Sequence, residues 1–129
     1  MLHALPPSAE GELRARLATI ASGPRPKASV KGLMDLSGGV AFRVVSPDLD
    51  RIREDLAAEL HSLLGTQDSG GWRPHVTIQN KVAPKVARAL IAALSQGFVP
   101  RPLAISGLGL HCYLGGPWET IALYSFRGR

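Results

Sequence analysis

One cysteine, Cys112, is all the thiol chemistry this 129-residue chain possesses. A lone cysteine forbids an internal disulfide and excludes a cysteine-based zinc site, which makes a reducing cytoplasm the natural home. Aromatic residues make up only 5% of the chain. Trp72, Trp118 and Tyr124 could stack a base, but a chain this short of rings usually spends them on packing. No apolar run approaches the roughly 20 residues of a membrane span. The opening "MLHALPPSAEG" lacks the basic and apolar regions of a secretion signal. There is no dense basic block either, although 15 Lys and Arg outnumber 10 Asp and Glu to give a formal charge of +5. That mild excess favours anionic partners such as nucleotides or RNA without demanding them. What is present is ordinary: 45% apolar and 19% charged residues, enough for one soluble domain with its own core.

The pattern along the chain alternates helices with strands. Ser8 can cap a first helix bearing Leu13, Leu17 and Ile20 at helical spacing. "GPRP" breaks it, "ASVKGLMDL" reads as a strand, and "SGG" turns the chain into "VAFRVV". Ser46-Pro47-Asp48 is a helix start with proline in the first turn. Leu49, Ile52, Leu56, Leu60 and Leu63 form its apolar stripe, and Gly65 ends it; His61 falls on its surface. After the polar loop "TQDSGG" comes the strand "RPHVTIQNKV". Pro84 opens a third helix with Val86, Leu90 and Leu94 on one side. The chain closes with a strand in "LAISGLGLHCYL", the turn "GGPW" and the strand "ETIALYSF". Gly38-Gly39 and Gly115-Gly116 read as hairpin turns, since no phosphate-loop pattern accompanies either.

Two stretches repeat one another. "SVKGLMDLSGGVAFRVV" and "AISGLGLHCYLGGPWETIAL" share a Gly-Leu pair (Gly32-Leu33 and Gly107-Leu108), a Gly-Gly turn and a closing strand, and an amphipathic helix precedes each. The expected architecture is therefore α+β: two pseudo-symmetric lobes of helix plus antiparallel sheet around a central cleft, a usual place for a ligand. Residues 1–46 and 73–129 are the two copies within a single 1–129 domain, and 47–72 is a linking helix and loop. The second copy opens with the strand that holds His75. The first strand of the first lobe is missing.

On a strand, alternate residues share a face. His75 and Thr77 should therefore look the same way as Arg73 and Gln79, with Val76 and Ile78 directed into a core. An imidazole and a hydroxyl on one polar face suit acid–base work on a bound anion.

"HVTI" at residues 75–78, with the flanks "GWRPHVTIQNKV" and "YLGGPWETIALYSF", resembles the bacterial branch of the two-histidine phosphoesterase superfamily, also called 2′-5′ RNA ligase-like. Members carry two His-x-Thr-hydrophobic tetrads on pseudo-symmetric strands. The tetrad alone is a weak motif, and its flanks and the repeat strengthen it. The resemblance implies action on RNA or nucleotide 2′,3′-cyclic phosphates or 2′-5′ phosphodiesters, with no metal or other cofactor. It makes His75 the catalytic acid or base and Thr77 a hydrogen-bond donor to the phosphate. One imidazole takes a proton from attacking water while its counterpart gives one to the leaving oxygen, a task for groups that titrate near neutral pH. Hydroxyl donors stabilise the charge that builds on the non-bridging oxygens.

The sequence departs from that pattern in its first half, where no His-x-Thr tetrad stands. Similar sequences place it just before "LHALPP", which points to a chain start set too far downstream. Aligning the repeats instead makes His3-Ala4-Leu5 a degenerate tetrad, though Pro6 and Pro7 would cut that strand short. Besides His75 and Thr77, the candidates for substrate binding are Arg73, Gln79 and Lys81, with Lys31 weaker. His3 and His111 are the candidates for the second half of the site; His111 shares strand parity with Tyr113. An inactive phosphate-binding module or a fragment is the alternative to an enzyme. A sheet short of one strand should dimerise through its open edge, borrow a strand, or be marginally stable.

Overall fold

The computed structural model describes residues 7–60, 72–112 and 119–128. These form an α+β fold of three α-helices and six strands: α1 (Glu10–Ala21), β1 (Lys27–Asp35), β2 (Val40–Val45), α2 (Pro47–Glu59), β3 (His75–Gln79), α3 (Pro84–Ser95), β4 (Arg101–Ala104), β5 (Gly107–Cys112) and β6 (Glu119–Ser125). All strand pairings are antiparallel. No described helix is long and apolar enough to cross a membrane.

The chain divides into two compact units, each assembled from separated segments. The first holds β1, β2, the opening of α2, β3, α3 and β4, and its sheet runs β3-β2-β1-β4. Three-residue rows cross this sheet: Gly32, Arg43 and His75; Leu33, Phe42 and Val76; Met34, Ala41 and Thr77. Helix α3 packs against β1 and β2, burying Ala28, Val30, Val44 and Ala87. Phe42 lies 6.2 Å from Phe98, centroid to centroid, and the Arg101 guanidinium stands 5.4 Å over the Phe42 ring.

The β1–β4 ladder shows the repeat at work. The step in sequence that carries Gly32 to Gly107 also carries Ala28 to Leu103, and those two residues are direct partners. Lys27 pairs with Ala104 and Ser29 with Pro102, which the same step exchanges. Pro102 has no N–H to give and sits on an edge strand, where that costs nothing.

Ser46 sets the start of α2. It is 1% exposed; its hydroxyl donates to the Lys27 carbonyl at 2.6 Å and accepts from the Leu49 N–H at 3.1 Å. The second bond is an N-cap, worth about 1 kcal/mol. The Asp48 carboxylate accepts the Lys27 N–H at 2.8 Å, fastening the helix start to the start of β1.

In the β1–β2 turn the Asp35 carboxylate accepts the Ser37 N–H, and Ser37 adopts φ 70°. Gly39 is needed there because an added Cβ would run into the Gln79 backbone.

The second unit holds α1, most of α2, and the two-stranded sheet β5-β6. Its core joins Ala9, Leu13 and Leu60, with Leu110 of β5 packed against them. Arg16 bonds Glu59 at 2.9 Å, joining α1 to α2 at the surface.

Several expectations need correcting. Ser8 does not cap α1: it lies in a 3-10 turn, Pro7–Ala9, and the cap position falls to Ala9, which has no side-chain bond. On α3, Val86 is 48% exposed and Ala87 is buried in its stead, while Leu90 and Leu94 are half-buried as expected. The strand expected in "LAISGLGLHCYL" is two strands, broken at Ile105-Ser106 and shared between the two sheets. Leu63, Gly65 and Gly115-Gly116 lie outside the described residues.

Candidate functional site

Among the described residues strand β3 is an edge strand, hydrogen-bonded to β2 alone. Its register fixes which side chains share a side, because residues directly opposite across an antiparallel pair project together. His75 is the partner of Arg43 and Thr77 is the partner of Ala41. His75, Thr77 and Arg43 therefore stand on one side of the sheet, and all three are exposed. His75 and Thr77 are about 7 Å apart along the strand.

The His75 ring is fixed by the backbone just before it. Its Nδ1 lies 2.7 Å from the Arg73 carbonyl. A carbonyl only accepts, so Nδ1 carries the hydrogen, and in the neutral ring Nε2 presents the lone pair. That is the form a general base needs. Pro74 supports the arrangement, its carbonyl accepting the Val44 N–H at 3.0 Å.

Arg43 was missed by sequence reasoning, and it is the residue nearest to His75 in the ladder. Its guanidinium lies across Gly32: a Cβ there would sit 3.6 Å from Nη2 and 3.7 Å from Nε. No carboxylate pairs with Arg43 among the described residues. The one signal available was compositional, a single cation inside the apolar strand "VAFRVV". Cross-strand register, which gives it meaning, is not written in any local window.

The other candidates divide. Arg73 precedes β3, and its visible contribution is the carbonyl that holds His75; its side chain is exposed. Gln79 does not join the His75 side. The register slips between Val40 and Ala41, passing over Ile78, so Gln79 stands opposite Val40 on the other side from Thr77. Its Oε1 is buried with no hydrogen-bond partner among the described residues. Val76 and Ile78, expected in a core, are 43% and 41% exposed.

Lys81 adopts φ 56°, its N–H taken by the Asn80 side chain at 2.9 Å, and its own side chain is exposed. Lys31 is the residue passed over in the β1–β2 ladder and is exposed. His111 lies on β5 in the second unit, exposed, with Nδ1 3.2 Å from the Thr120 hydroxyl. Of the aromatic candidates, Trp72 and Tyr124 are half-buried. His3, His61, Tyr113 and Trp118 lie outside the described residues. Among the described residues no three of His, Cys, Asp and Glu gather as metal ligands would.

The His75 side thus offers a lone-pair nitrogen, a hydroxyl and a guanidinium that has no carboxylate partner among the described residues. A phosphate would find in that set one charged hydrogen-bonding partner, one neutral donor and a proton acceptor. Comparison with known proteins agrees in kind. The family model described as the 2′-5′ RNA ligase superfamily matches residues 1–117. No curated protein matches the chain.

Proposed function

The chain belongs to the 2′-5′ RNA ligase superfamily, and from that premise we propose that it is a phosphoesterase acting on 2′,3′-cyclic phosphates of RNA ends or nucleotides. The observation that carries this reading is the His75 ring, held through Nδ1 by the Arg73 carbonyl and set opposite Arg43 in the ladder. His75 Nε2 takes a proton from water as the water oxygen bonds to phosphorus. The bond from phosphorus to one ribose oxygen breaks, that oxygen takes a proton from solvent water, and a phosphomonoester remains. The Thr77 hydroxyl donates to a non-bridging oxygen, and Arg43 balances the charge gathering there. Arg73 and Lys81 add positive charge along the path of an RNA strand; Gln79 has no part on this side.

A second reading is phosphate binding without turnover. It is favoured by one observation: the described residues of the His75 side include a single imidazole, whereas acid–base hydrolysis uses two proton-transfer groups.

The test is turnover of a nucleoside 2′,3′-cyclic phosphate by the full chain and by His75→Ala, with nucleotide binding titrated on both. Turnover that disappears in the variant supports the enzyme. Binding that depends on His75 with no turnover in either protein supports the second reading. Neither binding nor turnover would refute both.

A further inference from the structure

The β5–β6 sheet carries an imidazole and a hydroxyl that the reading above leaves unused. Gly107, Gly109 and His111 alternate along β5 on the side opposite to Leu110, and Leu110 packs into the core with Ala9, Leu13 and Leu60. The ladder slips between Leu110 and His111, passing over Ile121, and this brings Thr120 directly opposite His111. The Thr120 hydroxyl and His111 Nδ1 are 3.2 Å apart. The ring folds back along its own strand and lies over Gly109. A Cβ at that glycine would stand 2.6 Å from Nε2 and 3.4 Å from Cδ2 and Cε1. Only hydrogen leaves the ring its place.

Register identifies this side of the hairpin. Gly107 pairs with Ser125 as its repeat counterpart Gly32 pairs with Arg43. The side that bears Gly107, Gly109, His111 and Thr120 is therefore the repeat counterpart of the side that bears Gly32, Arg43, His75 and Thr77. Each sheet presents a histidine and a threonine there. In β3 they sit two residues apart on one strand; in β5–β6 they meet across the ladder.

We infer that His111 and Thr120 form a second phosphate-binding pair, which takes the phosphate group of a nucleotide. The class of ligand rests on the phosphoesterase reading. The donor count holds whichever way the bond between them runs. A neutral imidazole has one N–H and threonine one O–H. If Thr120 donates to Nδ1, Nε2–H is left for the anion. If Nδ1–H donates to Thr120, the hydroxyl hydrogen is left for it. No carboxylate bonds to either side chain among the described residues.

The experiment is a titration of the full chain, labelled with ¹⁵N in its histidine rings, with a nucleoside 2′-monophosphate. The chain has four histidines, so His75→Ala and His111→Ala assign the two resonances that matter. A saturable shift of His111 is expected. Thr120→Val should weaken that response about tenfold or more, the usual worth of a hydrogen bond to a charged group, and leave the His75 response intact. Gly109→Ala should do the same by pushing the ring aside while removing no polar group. A His75 shift with none at His111 would overturn the pair and leave the phosphoesterase reading standing. Shifts at neither would overturn both. A His111 response undiminished in both Thr120→Val and Gly109→Ala would show an imidazole acting alone, which also overturns the pair.

Discussion

Hairpins β1–β2 and β5–β6 follow one sequence pattern and end in different surroundings. In the first, β4 covers the β1 edge and β3 covers the β2 edge. In the second, β5 and β6 pair with each other alone among the described residues. The residue that bridges the pattern before each Gly-Leu behaves accordingly. Lys31 is extruded as a bulge and β1 runs on unbroken, whereas its counterpart Ser106 falls in the break between β4 and β5. Burial follows the neighbours. Ala41 is 0% exposed, while Leu123, which the two registers make its counterpart, is 73% exposed. The larger apolar side chain is outside and the smaller one inside. A shared pattern therefore specifies the hairpin, and the strands laid beside it decide what each position experiences.

That contrast can be attacked at several points, the largest effect first. On the β2–β3 side, His75→Ala should lower turnover of a cyclic phosphate by about 10²–10⁴-fold. Thr77→Val should lower it by about 10²–10³-fold, as expected for losing one donor to the transition-state oxyanion; steady-state rates check both.

Exchanging the counterparts tests the packing claim directly. Ala41→Leu should cost about 1–3 kcal/mol through overpacking, while Leu123→Ala should stay within about 0.5 kcal/mol of the parent. Urea midpoints at constant m decide it, and equal costs would mean that the strands beside each hairpin do not govern burial. Ser46→Ala should cost about 1 kcal/mol through the lost cap. The smallest effect is expected at Gly32, where alanine meets Arg43 at ordinary contact distance, so Gly32→Ala should leave turnover and midpoint close to the parent's.

Local chemistry made much of this legible from residues alone. Ser46-Pro47 announced α2, Pro84 announced α3, and "VAFRVV" coincides with β2 from end to end. His75 and Thr77 lie on one side because alternation holds across Val76. The misses share a cause, which is information held by a distant segment. Alternation says that Val76 and Ile78 face away from His75, yet only the sheet order shows that β3 is an edge among the described residues, where both stay exposed. A bulge at Ile78 redirects Gln79, and no composition rule places a bulge. Arg43 belongs to the other copy of the repeat and becomes a neighbour of His75 only through the ladder. Thr120 was overlooked for the same reason, its partner being nine positions back along the chain.

The exchange of partners between β1 and β4 bears on how the molecule can be made. Lys27 waits for Ala104, so a growing chain holds a four-stranded sheet that cannot close until most of the sequence has been synthesised. The segments of the second unit are threaded between those of the first along the chain. Neither unit is finished before the other is well advanced, and contacts of such long sequence separation slow folding. The two copies look like modules on paper, but cutting the chain between them would separate β1 and β2 from both their flanking strands. Each half expressed alone should be a poor folder, and the pair should recover structure when mixed.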